Sequence, residues 1–135
     1  MVGSSFWSPK SAPGSPTFDK PVRKGIGPVM NARAVSITHD SSMDAIRDAI
    51  TEAVAEVGKD DQGVIIVTDM FGGTPANVSM TFLEPQSVEV ITGVNLPMIL
   101  KFFNSQETIG LDELAGILKS YGQQSIALAS EYLQR

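Results

Sequence analysis

Val64-Ile65-Ile66-Val67 is an unbroken run of four β-branched residues, and no other stretch of the chain restricts its fold as much. Strands with one solvated face alternate apolar and polar side chains. A run without polar interruption reads as a strand buried on both faces, the habit of parallel sheets flanked by helices. Asp69 stands where that strand should end. Gly72 and Gly73 allow a tight turn with close backbone approach, and Thr74-Pro75 reads as an N-cap followed by the favoured first helical residue. Strand, carboxylate, glycine turn and helix start together make an anion-binding corner at the carboxyl edge of a sheet. Taken alone, the Gly-Gly turn fits equally well with a plain βα connection that binds nothing.

The flanking sequence continues the α/β pattern. Ala32 to Ile37 reads as a short strand. Ser41-Ser42 can cap a helix, with Met43, Ile46, Ile50, Ala53, Val54 and Val57 at helical spacing and Gly58 as its stop. A helix is expected from Thr74 to about Leu83, ended by Pro85. Val88 to Ile91 is a strand, Asn95 an N-cap, and Leu96 to Phe103 an apolar helix. Asn104 to Gly110 reads as a loop, and Leu111 to Leu133 as two helical stretches broken near Gly122. Met43, Met80 and Met98 are expected to fill core. The alternation predicts a doubly wound, mainly parallel sheet with helices on both faces.

Two segments carry a family resemblance. Thr68-Asp69-Met70-Phe71-Gly72-Gly73-Thr74-Pro75-Ala76-Asn77 resembles the mannose-type enzyme IIA component of the bacterial phosphoenolpyruvate-dependent sugar phosphotransferase system. Gly93-Val94-Asn95-Leu96-Pro97-Met98 resembles the segment that opens that family's third helix. The resemblance runs from about Asn31 to the C-terminus. It implies four parallel core strands with a further antiparallel strand exchanged between two subunits, so one core strand should come from residues 1–30.

Composition sets bounds on function. With no cysteine, disulfides and thiolate metal sites are excluded. The net charge of −5 argues against nucleic acid as a partner. No run of 18 apolar residues and no leader pattern occurs, so neither a membrane span nor a signal peptide is expected, and the expected location is the cytoplasm.

The charge is uneven: residues 1–30 carry Lys10, Lys20, Arg23 and Lys24 against Asp19, while the remainder is acidic. Five of the eight prolines (Pro9, Pro13, Pro16, Pro21 and Pro28) also fall in residues 1–30. Proline disfavours both a central strand and a helix there, so this segment is read as an atypical Pro-rich region preceding a domain of residues 31–135. In the resembled family the chain opens with an apolar strand followed at once by His-Gly, whose His carries the phosphoryl group. Here the sole histidine is His39. Two explanations stand side by side. One is a frame change in the coding sequence, since reading the codons of Ser5 to Pro9 one base earlier permits Ile-Val-Leu-Val-Thr. The other is a disordered Pro-rich extension. Either weakens a core strand, so a marginal fold is expected.

Function follows from the resemblance. A family member relays a phosphoryl group from HPr to enzyme IIB for sugar uptake or its regulation. Asp69 would orient the acceptor imidazole, the amides around Gly72, Gly73 and Thr74 would receive phosphate oxygens, Asn77 would belong to the same cradle, and Met70 and Phe71 would form an apolar rim for partners. His39 is the candidate acceptor in this chain, because it follows a strand to the same edge. No cofactor or metal is implied. The resemblance further implies a homodimer and peripheral association with a membrane permease complex. The alternative is a non-phosphorylatable regulatory module that docks phosphotransferase-system partners. A third reading is an unrelated α/β domain that binds a small anion.

Overall fold

A computed structural model of the protein describes residues 2–4, 32–105 and 109–133. The expectations for Ser5 to Asn31, Pro-rich or frame-changed, lie outside the described residues. The elements in chain order are β1 (Val2–Ser4), β2 (Arg33–Val35), α1 (Met43–Val57), β3 (Val64–Thr68), α2 (Thr74–Met80), β4 (Val88–Thr92), α3 (Leu96–Asn104), α4 (Leu111–Gln124) and α5 (Ala129–Leu133).

The four strands form one parallel sheet in the order β2-β1-β3-β4. The N-terminal strand therefore exists, and it lies between β2 and β3. It is only three residues long: Val2, Gly3 and Ser4 pair with Arg33, Ala34 and Val35 on one side and with Ile66, Val67 and Thr68 on the other.

All five residues of β3 are buried, and the sheet's two faces explain why. Val64 and Ile66 join Val35, Ile46, Ile50, Ala53, Val57, Val78 and Val88 in a core under α1 and α2. Ile65 and Val67 point the other way, into a core with Ile91, Met98, Leu111, Ala115 and Leu118 under α3 and α4. A strand serving two layers has no solvent side, hence the uninterrupted apolar run from Val64 to Val67 before the buried Thr68 at its end.

α1 begins where expected, with the Ser42 side chain accepting the Ala45 N–H and Ile46, Ile50, Ala53 and Val57 forming its buried stripe. On its outer side Arg33 of β2 pairs with Glu56 and with Glu52 at 3.6 Å, fastening an edge strand to the helix above it. Met43 departs from expectation. It is exposed, because the first helical residue lies outside the stripe that meets the sheet.

Other boundaries shift for local reasons. Gly73, in extended conformation, caps α2, so Thr74 is the first helical residue rather than the cap. The helix ends at Met80 instead of running toward Pro85. From Thr81 the N–H groups of Thr81, Phe82 and Leu83 turn to the carbonyls three residues back, which tightens and closes the coil. Asn104 is the last residue of α3, one position into the expected loop. α4 passes through Gly122 without a break. A Cβ at that position would sit 2.4 Å from the Met98 sulfur, so the missing side chain is what lets α3 and α4 approach. The interruption falls after Gln124, where the Ser125 hydroxyl donates to the Tyr121 carbonyl at 2.7 Å and competes with helix continuation.

Candidate functional site

The parallel strands deliver their C-terminal ends to one edge. Ser4 pairs with both Val35 and Thr68, so the ends of β2 and β3 are two strand spacings apart, about 9.5 Å. β1 ends between them. Asp69 is the first residue beyond β3 and is exposed; its Oδ1 accepts the Met70 N–H at 2.8 Å. Met70 and Phe71 are 59% and 72% exposed, an unusual position for large apolar side chains beside a carboxylate.

Gly72 follows with φ +81°. This is the left-handed region that side chains with a Cβ rarely occupy, and a Cβ built there meets nothing within 4 Å. The turn is thus set by backbone conformation, and its outer surface is open. Gly73 leads into α2 with its carbonyl accepting the Asn77 N–H at 2.9 Å. No side chain caps this helix start, and Pro75 sits in its first turn. Asn77 itself is exposed on the helix.

The residues expected to form the site from Asp69 to Thr74 thus share one contiguous, solvent-facing turn. His39 is not among them. It lies in the turn after β2, exposed. That turn is closed by Ser41 N–H to the Thr38 carbonyl and Thr38 N–H to Ser41 Oγ, both 3.1 Å, with the two hydroxyls 3.0 Å apart. Among the described residues no hydrogen bond joins His39 to Asp69, and a strand separates their turns.

The turn after β4 adds residues that sequence reasoning did not assign to the site. Thr68 pairs with Thr92, so the Gly93–Asn95 turn leaves the sheet next to Asp69. Leu96 and Leu100 of α3 are 63% and 53% exposed, so the helix that this turn opens also presents large apolar side chains to solvent. The available signal was position: Leu96 follows the N-cap directly, on a first turn that the sheet does not cover. Asp40 and Asp44, after β2 and at the start of α1, and Asp69, after β3, are all exposed. Among the described residues no three His, Asp or Glu side chains gather closely enough to hold a metal ion.

The sequence model of the family described as "PTS system fructose IIA component" (EIIA-man) matches residues 19–118. The chain is 30% identical over 106 residues to the "PTS system fructose-specific EIIA component" of Bacillus subtilis (strain 168), covering 78% of this chain and 72% of that protein. Among solved structures, it resembles the mannose/sorbose specific IIA subunit of the phosphotransferase system from Enterococcus faecalis. That likeness has a TM-score of 0.64 and 29% identity over 73% of this chain and 74% of the other. It also resembles the PTS IIA protein associated with the fucose utilization operon from Streptococcus pneumoniae, with a TM-score of 0.65 and 27% identity, covering 76% and 74% of the two chains.

Proposed function

Since this chain belongs to the EIIA-man family of phosphotransferase-system IIA components, we propose that it relays phosphoryl groups from HPr to enzyme IIB, with the Asp69–Thr74 turn as its working surface. The observation that carries this reading is the placement of that turn: a carboxylate, an open glycine backbone and two exposed apolar side chains lie together beside the end of β1. Asp69 would orient an imidazole, the amides around Gly72, Gly73 and Thr74 would meet phosphate oxygens, and Met70 and Phe71 would pack against the donor and acceptor proteins. Such transfer depends mainly on positioning and charge stabilisation.

The separation of His39 from Asp69 favours a second reading, a regulatory module that docks HPr or enzyme IIB without being phosphorylated. His39 is the only imidazole in the chain, and a relay through it requires the β2 turn to reach across β1. Dimerisation and a cytoplasmic location beside a membrane permease belong to the same proposal. β4 is an outer strand of the sheet, and Ile126, Leu128, Tyr132 and Leu133 beyond α4 are exposed, as a paired assembly would use them. No helix among the described residues is long and apolar enough to cross a membrane.

Incubation with phosphorylated HPr, followed by mapping of acid-labile label and by titration of the chain with HPr, separates the readings. Label on His39 is the result expected of a relay. HPr binding without label leaves the docking module. Neither label nor binding removes both.

A further inference from the structure

Asn95 uses its side chain twice. Its Oδ1 accepts the Met98 N–H at 3.2 Å and caps α3, while its Nδ2 donates to the Gly122 carbonyl of α4 at 2.9 Å. One residue earlier, the Val94 N–H donates to the Thr68 carbonyl at 3.0 Å. That carbonyl belongs to the planar peptide unit joining Thr68 to Asp69, so whatever holds it sets the direction in which Asp69 leaves β3. The Thr68 side chain is fully buried, and a hydrogen bond in such surroundings is stronger than one in water.

We propose that Asn95 is a positioning residue for Asp69: anchored to α4, it holds Val94 against the Thr68–Asp69 peptide and so aims the carboxylate. A helix cap alone needs only an acceptor, and serine serves at that position about as well as asparagine. The bond from Nδ2 to Gly122 is surplus to capping. It ties the β4–α3 turn to α4 at Gly122, where a Cβ would sit 2.4 Å from the Met98 sulfur of α3. The inference rests on Asp69 being the working carboxylate, but its test is independent of that reading.

The test compares the full chain with Asn95→Ser, which keeps a capping hydroxyl and removes the amide donor. Amide NMR follows Met70, whose N–H is bonded to the Asp69 carboxylate, and hydrogen exchange follows Val94. The expected result is a displaced Met70 resonance and about a three- to tenfold loss of Val94 protection, with Met98 protection retained. HPr affinity, where the parent chain binds, is expected to weaken by a similar factor. Unchanged Met70 and Val94 signals, with losses confined to α4 around Gly122, would overturn the proposal and leave Asn95 as a fastener between helices. Asn95→Asp, which keeps the cap and the side-chain size, repeats the comparison if Asn95→Ser does not fold. A Met70 and Val94 response in a chain that binds no HPr would retain the positioning role and remove the docking reading.

Discussion

Ser4 lies opposite Thr68 in the β1–β3 ladder, and on its other side the same residue pairs with Val35. Three N-terminal residues therefore join the two halves of the sheet. Deleting residues 1–4 leaves β2 without a neighbour among the described strands, and the expected outcome is loss of the cooperative transition in a circular-dichroism melt. The intact chain, with so short a central strand, should melt at or below the ordinary mesophile range of about 45–65 °C. A truncated chain with an unchanged midpoint would show that the strand contributes nothing.

Ile66 is fully buried on β3 in the core beneath α1 and α2. Ile66→Ala removes apolar contacts where the surrounding sheet and helices cannot easily collapse, and should destabilise by about 2–5 kcal/mol. Urea unfolding measures it; a loss under 1 kcal/mol would mean that this part of the core is loosely packed.

Gly72 has room for a side chain but not the backbone for one. Its φ of +81° makes Gly72→Ala strained by about 1–2 kcal/mol, although a methyl group there touches nothing. If the turn is the docking surface, relaxation of that strain should also weaken HPr binding, measured by calorimetry. Stability and affinity both equal to the parent's would mean the turn accommodates alanine without rearranging.

Two glycines of α4 should respond in opposite directions. At Gly122 an added methyl meets Met98, and Gly122→Ala is expected to destabilise by about 1–3 kcal/mol through overpacking. At Gly116 nothing lies within 4 Å, and Gly116→Ala is expected to stabilise by about 0.5–1 kcal/mol through helix propensity. Thermal melts of the pair provide the check; a matching sign would contradict the α3–α4 approach.

Much of this architecture is legible in the sequence, because each readable element combines periodicity with punctuation. β3 announces itself by the unbroken apolar run Val64–Val67, and α1 by Ser42, its apolar stripe and Gly58. Capping of α3 by Asn95 is equally plain. What escapes is decided by tertiary contact. Gly122 reads as a helix breaker until Met98 is seen occupying the space its side chain would fill. Met43 matches the helical period but not the direction of the sheet. For the site, the turn from Asp69 to Thr74 is readable as a unit. The separation of His39 from it depends on β1 lying between β2 and β3, and the Asn95 link depends on α4, 27 positions away along the chain.

The double duty of β3 has a consequence for how such a protein can change. A substitution in Val64–Thr68 must satisfy two packed layers at once, so few replacements are tolerated there. Met70 and Phe71, just past Asp69 on the same segment, belong to neither layer, so packing of the fold does not constrain them. If the turn is the docking surface, its tip can change while the post that carries it stays the same, and libraries aimed at altered docking should randomise the tip alone.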